Sequence, residues 1–423
     1  MPNVPISRRD ALITTSALAA SAMAFPAFAA RGASRIKVGV IGCGGRGTGA
    51  TVNCLQASPD TEIYALGDMF PDRLQGCLQE LGKQEGLSSR AAVSTDRCFT
   101  GFDAYRKVLA TDVDMVILAT PPGFRPVHFA AAVEAGKHIF FEKPVAVDPA
   151  GIRKVIEAGK KAREKKLSVV TGTQRRHEQC YLEAMKRIQD GAIGDVRSAS
   201  VFWNQGGLWM NKRQPSWSDM EWQLRNWLYF TWLSGDHITE QHVHNLDIGH
   251  WVMDATPKRV TGMGGRQVRT DPAYGHIFDH FSCEFEYEGG RSVTSYCRQI
   301  DGCNDRVEEY IYGSKGWANL SMGRAEIFGP AAWKFTGGEE NPYVTEHKDL
   351  VASITGKGAY LNEAERIAQS TLMAIMGRMS AYTGRDVSWE FAMNSKLDLT
   401  PKEQELGPIA TPEVAVPGKT KLI

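Results

Sequence analysis

One stretch narrows the fold of this chain more than any other: Arg35-Ile36-Lys37-Val38-Gly39-Val40-Ile41 runs directly into Gly42-Cys43-Gly44-Gly45-Arg46-Gly47. The apolar run suits a buried strand, and the residues after the glycines, through Leu55, suit a helix. Strand, glycine loop and helix in that order predict a dinucleotide site. Glycines permit the tight turn, backbone N–H groups then approach the pyrophosphate, and the helix N-terminus adds positive field. Such a loop is a weak signal alone, but the next strand, Glu62-Ile63-Tyr64-Ala65-Leu66, ends at Asp68, 21 positions beyond Gly47. A carboxylate there accepts hydrogen bonds from ribose hydroxyls and repels a 2′-phosphate, so NAD is expected over NADP. Gly42, Gly44, Arg46, Gly47 and Asp68 are the first expected cofactor contacts.

The alternation continues. Val113–Ala119 reads as a strand ending at Thr120-Pro121-Pro122, residues 127–136 as a helix, and His138–Phe141 as a strand ending at Glu142-Lys143-Pro144. A Lys-rich helix over 149–166 and a strand over Leu167–Thr171 follow. The pattern predicts an α/β fold with a doubly wound parallel Rossmann sheet over residues 34–171. Ligands gather at the carboxyl ends of such strands, which is where Thr120, Glu142, Lys143 and Gln174 fall. Past residue 172 the rhythm changes. A helix over Glu178–Gln189 precedes segments at 196–204, 257–268, 277–288, 291–299, 305–312, 317–321 and 324–328, many alternating with period two. They predict an α+β domain over 172–397 with an open, mostly antiparallel sheet, closed by a helix over 363–382. The segment 398–423 has scattered prolines and no periodicity, which fits an extended arm or a disordered tail.

The first thirty residues do not read as part of this fold. Ser7-Arg8-Arg9-Asp10-Ala11-Leu12-Ile13 opens an Ala/Ser/Thr-rich run closed by Pro26 and Ala27-Phe28-Ala29. That is the pattern of a twin-arginine signal peptide over residues 1–29, and it implies a periplasmic or otherwise exported protein. Of the 49 Lys and Arg and 48 Asp and Glu, removing Arg8, Arg9 and Asp10 leaves 47 of each. A neutral chain has no electrostatic footprint for nucleic acid, and no second apolar run is long enough to cross a bilayer. The eight cysteines form no C-x-x-C pair, so no metal cluster is expected, and a chain that folds before export carries free thiols. Cys283 and Cys297 are the one pair that could face each other.

The glycine loop, Glu142-Lys143-Pro144, Gly172-Thr173-Gln174-Arg175-Arg176 and the Ile238-x-Glu240-x-x-x-His244-x-x-Asp247 pattern together resemble the Gfo/Idh/MocA oxidoreductases. The resemblance spans about residues 35–390 in consistent order. It implies a Rossmann domain followed by an open-sheet domain, NAD(P) at the Rossmann edge, and a sugar-like substrate between the domains. The loop Thr120–His128 is longer than the family's, and Glu240 and His242 stand where Asp and Gly are common.

Lys143 is a cation at a strand end, placed to steady a substrate oxygen as alkoxide charge develops. Its bland alternative is a helix-capping lysine; the resemblance implies the catalytic placement. If 239–251 is one helix, Glu240 and His244 share a face, and the carboxylate orients an imidazole that acts as general base. A satisfied interfacial histidine is the competing reading. Asp247, one turn on, and Arg176 are candidate partners for sugar hydroxyls. Six of the ten tryptophans, at 203, 209, 217, 222, 227 and 232, crowd one thirty-residue stretch. Such rings line a carbohydrate cleft, with Trp227 the expected substrate contact, or form an aromatic subunit interface. The resulting expectation is an exported enzyme with tightly held NAD that moves hydride to and from a carbinol carbon of a sugar, polyol or glycoside. Its alternatives are an NAD-dependent glycosidase working by transient oxidation and an inactive binding protein. A homo-oligomer and no metal are expected.

Overall fold

The structure is a computed structural model describing residues 35–338 and 340–423; the expected signal peptide lies outside the described residues. Six strands build the first sheet: β1 (Ile36–Ile41), β2 (Thr61–Asp68), β3 (Cys98–Thr100), β4 (Met115–Leu118), β5 (His138–Phe141) and β6 (Val169–Thr171). They are all parallel, in the order β3-β2-β1-β4-β5-β6. The intervening helices are α1 (Gly45–Ala57), α2 (Pro71–Gly82), α3 (Ala104–Leu109), α4 (Arg125–Glu134) and α5 (Pro149–Glu164). Because helices cover both faces, the central strands are apolar at successive positions: all four residues of β4 are buried.

The second sheet has nine strands: β7 (Val196–Gln205), β8 (Arg259–Gly265), β9 (His280–Glu286), β10 (Ser292–Gln299), β11 (Arg306–Gly313), β12 (Trp317–Ser321), β13 (Arg324–Phe328), β14 (Trp333–Lys334) and β15 (Val387–Ser388). Their order is β14-β13-β12-β11-β7-β10-β9-β8-β15, and every pair is antiparallel except β10 with β7. Period-two burial makes this sheet one-sided: Phe281, Cys283 and Phe285 on β9 and Val293 and Cys297 on β10 face inward. All eight cysteines are free, Cys283 and Cys297 among them.

The remaining helices are α6 (Gln179–Gln189), α7 (Asp219–Arg225), α8 (Thr231–Ser234), α9 (His237–Glu240), α10 (Val243–Met253), α11 (Pro342–Thr355), α12 (Ala364–Thr383) and α13 (Trp389–Asn394). Helix α12 packs on α5 of the first unit and on β8 and α10 of the second, so one hydrophobic core runs through both. Helix α11 doubles back to lie along α1. The expected single helix over 239–251 is two. The His237 carbonyl accepts from both Gln241 and His242 N–H groups, at 3.0 and 3.1 Å, which closes α9 after one turn before α10 begins. Residues 398–423 run over the body without helix or strand. Asp148 caps α5 through Gly151 N–H (2.7 Å) and holds Leu399 N–H (2.8 Å), and the Gly407 carbonyl accepts from Met220 N–H (3.0 Å).

Burial also sets how the fold answers acid. It holds His128, His242 and His347 near 3, His138, His250 and His276 near 4, and His237 and His244 well below the ordinary 6.5. The unfolded chain takes up these protons near pH 6.5 and the fold does not, so their stability contribution is complete above about 6.5. It is lost as pH falls toward 4 and below, at about 1.4 kcal/mol per histidine per pH unit. The expected melting temperature is flat above pH 7 and drops steeply between about pH 6.5 and 4. Calorimetry giving a flat profile down to about pH 4.5 would contradict the neutral, buried histidines.

Candidate active site

A cleft of about 740 Å³ opens along the carboxyl ends of the first sheet, and the second unit roofs it. Its floor is the glycine loop. Gly42 has φ +100°, and a Cβ on Gly47 would stand 1.8 Å from the Gly42 carbonyl oxygen, so neither position accepts a side chain. A Cβ at Gly44 or Gly45 would meet nothing within 4 Å, which leaves open space beside that backbone. Helix α1 starts on Gly44 with no side-chain cap and no acidic residue in its first turn, so its leading N–H groups lack an internal partner. These are the requirements of a bound pyrophosphate.

At the end of β2, Asp68 accepts from Cys43 N–H (2.7 Å) and Phe70 N–H (2.9 Å). It braces the glycine loop while lining the cleft. Burial pushes its pKa up against the pull of those two bonds. Thr120, after β4, faces the cleft and hydrogen-bonds His128 at 3.1 Å. Gln174, after β6, presents a buried Oε1 with no hydrogen-bond partner, an acceptor suited to a carboxamide donor. Along the sheet order Asp68 lies toward one end of the cleft and Lys143 and Gln174 toward the other, the ends expected to take adenosine and nicotinamide.

Lys143, just after β5, donates from Nζ to the Glu240 carbonyl (2.7 Å) and to its Oε1 (3.3 Å). The expected pairing of Glu240 with His244 is thus corrected: α9 ends at Glu240, and its carboxylate goes to the lysine. The His244 ring instead stacks beside Trp203, centroids 5.6 Å apart. Burial, then Lys143 and Arg175, hold its pKa well below the ordinary value, so the imidazole is neutral and able to accept a proton. Glu142 pairs with Arg46, whose guanidinium lies 4.8 Å from the Tyr343 ring. Trp227 lines the wall, with Trp209 beside it at 6.0 Å.

Arg176 and Asp247 are not in the cleft lining. Arg176 forms a two-point pair with Asp247 (2.8 and 3.0 Å), which also accepts from Arg366 and Ser370. Burial opposes the charge on Asp247, but Arg176 and Arg366 overcome it and hold the pKa below the usual carboxylate range. With its oxygens satisfied, Asp247 has a structural place, which corrects the expectation of a substrate contact. Contributors that the sequence did not expose are Tyr343 and Glu346 on α11, Gln241 and Arg225. Gln241 fills an unspecified position of the Ile238–Asp247 pattern, and no motif surrounds the others.

Two family models match the chain: the oxidoreductase family NAD-binding Rossmann fold over residues 36–171, and the GFO/IDH/MocA C-terminal domain over 181–319. The chain belongs to the Gfo/Idh/MocA oxidoreductase family. NAD is its cofactor, and the glycine loop, Asp68 and the unpartnered Gln174 oxygen fit that group. The myo-inositol 2-dehydrogenase of Thermotoga maritima is 23% identical over 66% of this chain and 74% of its own length. The 2,7-anhydro-N-acetylneuraminate hydratase of Escherichia coli is 28% identical over 50% and 52%. The structure of an aldose-aldose oxidoreductase from Caulobacter crescentus complexed with glycerol superposes with a TM-score of 0.64, at 20% identity, over 84% of this chain and 99% of that one.

Two substitutions test the cofactor end. Gly47→Ala is expected to abolish dinucleotide binding without unfolding the second sheet, read by NADH fluorescence titration beside circular dichroism. Asp68→Ala is expected to weaken NAD about 10- to 100-fold, the scale of a lost charged hydrogen bond, and to narrow the preference over NADP. Unchanged NAD affinity would remove Asp68 from the site.

Proposed function

We propose that this oxidoreductase acts outside the cytoplasm on a sugar, polyol or glycoside, with NAD that stays bound and is returned to its starting state in each cycle. The observation that carries the chemistry is the convergence of Lys143 and His244 on one end of a cleft walled by Trp203, Trp209 and Trp227. NAD, when bound, supplies the hydride acceptor and later the donor. The ring faces hold the C–H face of a pyranose or cyclitol and exclude water. The Lys143 ammonium donates to the carbinol oxygen and stabilises alkoxide charge, with Glu240 fixing its direction. His244, neutral through burial, takes the hydroxyl proton, and its low affinity for that proton favours giving it back. The catalytic assignments of Lys143, His244 and Glu240 rest on this geometry and on the family.

Export rests on the Ser7-Arg8-Arg9 leader pattern. A protein folded before export carries whatever dinucleotide it acquired inside, so turnover must end with the cofactor as it began. A second substrate can restore it, or the first can after transient oxidation, as in a glycosidase. A relative named as a hydratase and a structural neighbour named as an aldose-aldose oxidoreductase make redox-neutral outcomes chemically natural for this fold. The outer face of the nine-stranded sheet, with Tyr296 and Tyr312 exposed, is the surface offered for a homo-oligomer.

Lys143→Ala and His244→Ala are each expected to lower turnover about 100-fold or more, the usual loss for a positioned charge or base. Near-normal turnover in either variant removes that residue's role. Protein recovered from the exported fraction is expected to retain dinucleotide through extensive dialysis, as denaturation and mass analysis would reveal. Emergence free of dinucleotide, with activity only on added NAD, refutes the bound-cofactor cycle.

A further inference from the structure

The second unit reaches across the cleft to the adenosine end through a contact that the chemistry above does not use. On α7, Arg225 donates from its two terminal nitrogens to the two carboxylate oxygens of Asp72 on α2, at 3.0 Å each. Its Nε donates to Glu221 at 2.8 Å. The guanidinium carbon lies 3.9 Å from the centroid of the Phe70 ring and 5.1 Å from that of Trp217, so the group contacts aromatic faces as well as its ion-pair partners. Phe70, Leu224 and Arg225 line the cleft beside Asp68.

The segment carrying Arg225 is braced from behind. Its Met220 N–H donates to the Gly407 carbonyl of the C-terminal arm at 3.0 Å, and its Gln223 accepts from Trp232 Nε1 at 2.7 Å. Asn226 accepts from Asn211 N–H at 2.7 Å, tying it to the loop that bears Trp209. A roof anchored on one side by the arm meets the rim of the Rossmann unit here in two ways: Phe70 packs in one apolar cluster with Met220 and Leu224, and the two-point Asp72–Arg225 pair is the charged attachment. Two parallel charged hydrogen bonds fix orientation as well as distance, and the stacking on Phe70 adds contact that a lysine lacks.

We infer that Arg225, paired with Asp72 and seated on Phe70, is a cofactor-retaining residue that latches the tryptophan-rich segment over the adenosine half of bound NAD. The role builds on the bound-cofactor reading but is separable from it, because it concerns the rate of exchange relative to variants rather than absolute retention. The dinucleotide leaves only when α7 lifts, and lifting breaks the pair. Asp72 is more than half exposed at its side chain, so salt weakens the latch.

The test is the dissociation rate of NADH from full-length protein, followed by stopped-flow fluorescence as NADH is displaced by excess NAD. Asp72→Asn, on the outer side of α2, is expected to speed release about tenfold, and Arg225→Ala about 100-fold. The two effects are expected to be non-additive in the double variant, because both break one contact. Raising salt is expected to speed release from the unsubstituted protein and to leave Asp72→Asn nearly unaffected. Release within twofold of the unsubstituted rate in Asp72→Asn, or independent addition of the two effects, overturns the latch. Should Arg225→Ala fail to fold, Asp72→Asn and the salt series decide alone. Unsubstituted protein that loses dinucleotide on dialysis yet releases NADH faster in both variants would refute the bound-cofactor cycle and leave the latch standing.

Discussion

Arg378 on α12 is 2% exposed, and its guanidinium donates to the carbonyl of Gly235 (2.9 Å) and that of Val147 (2.7 Å). Gly235 stands just before α9, which carries Glu240, and Val147 follows the turn that carries Lys143. A buried cation persists only where its hydrogen bonds are met, so the positions of both chain segments are set by one side chain. One turn on, Tyr382 donates to Asp236 at 2.6 Å. Asp236 has φ +68° and ψ 163°, a conformation that costs about 1–3 kcal/mol for a residue with a side chain. Bonds from Tyr382, Phe278 N–H (2.8 Å) and His237 N–H (2.6 Å) offset that strain. The place where Lys143 meets Glu240 therefore depends on a helix far from both in sequence.

That dependence explains why the glycine loop and the strands were readable in the sequence while parts of the site were not. The βα unit at Ile36–Ala57 is local: apolar run, glycines and helix lie within about twenty residues, and each element obeys its own periodicity. The same holds for β9 and β10, whose alternation survives because one face is buried. Glu240 was read as a helical neighbour of His244, since i and i+4 share a face in an unbroken helix. The double acceptance by the His237 carbonyl broke that helix, and a tertiary partner, Lys143, took the carboxylate. Asp247 was misread for a related reason: Arg366 and Ser370, which saturate it, arrive from α12. Tyr343 and Arg225 carry no local signal at all. They enter the cleft because α11 folds back along α1 and because α7 crosses to α2.

Two cations of the cleft are paired with carboxylates, and a third, the buried Arg125, donates to the Thr120 and Pro144 carbonyls instead. Arg46 is matched by Glu142, and Lys143 by Glu240. Beneath Arg46 lies Glu346, completely buried; burial, then the nearby Glu142, push its pKa well above the ordinary carboxylate value. His244 is neutral for the same reason, burial reinforced by Lys143.

The pairing of Lys143 bears on the alkoxide that the proposed reaction would develop. In a cleft crowded with uncompensated cations, ground-state binding of any anion would compete with stabilisation of charge that appears only during reaction. Here the Lys143 ammonium already has one carbonyl and one carboxylate partner, and a neutral hydroxyl gains little from it. On the proposed mechanism the hydroxyl proton passes to His244, and the oxygen would acquire charge within reach of a pre-aimed donor whose direction is fixed by the Glu240 main chain. Stabilisation grows with the charge and needs no rotation of the lysine, which is the form of electrostatic help that lowers a barrier instead of deepening a bound state. The imidazolium formed at the same moment is disfavoured by the same neighbours. Proton return would therefore be easy, and the proposed cycle, which ends with the cofactor and His244 in their starting states, would be better served by that weak base than by a strong one.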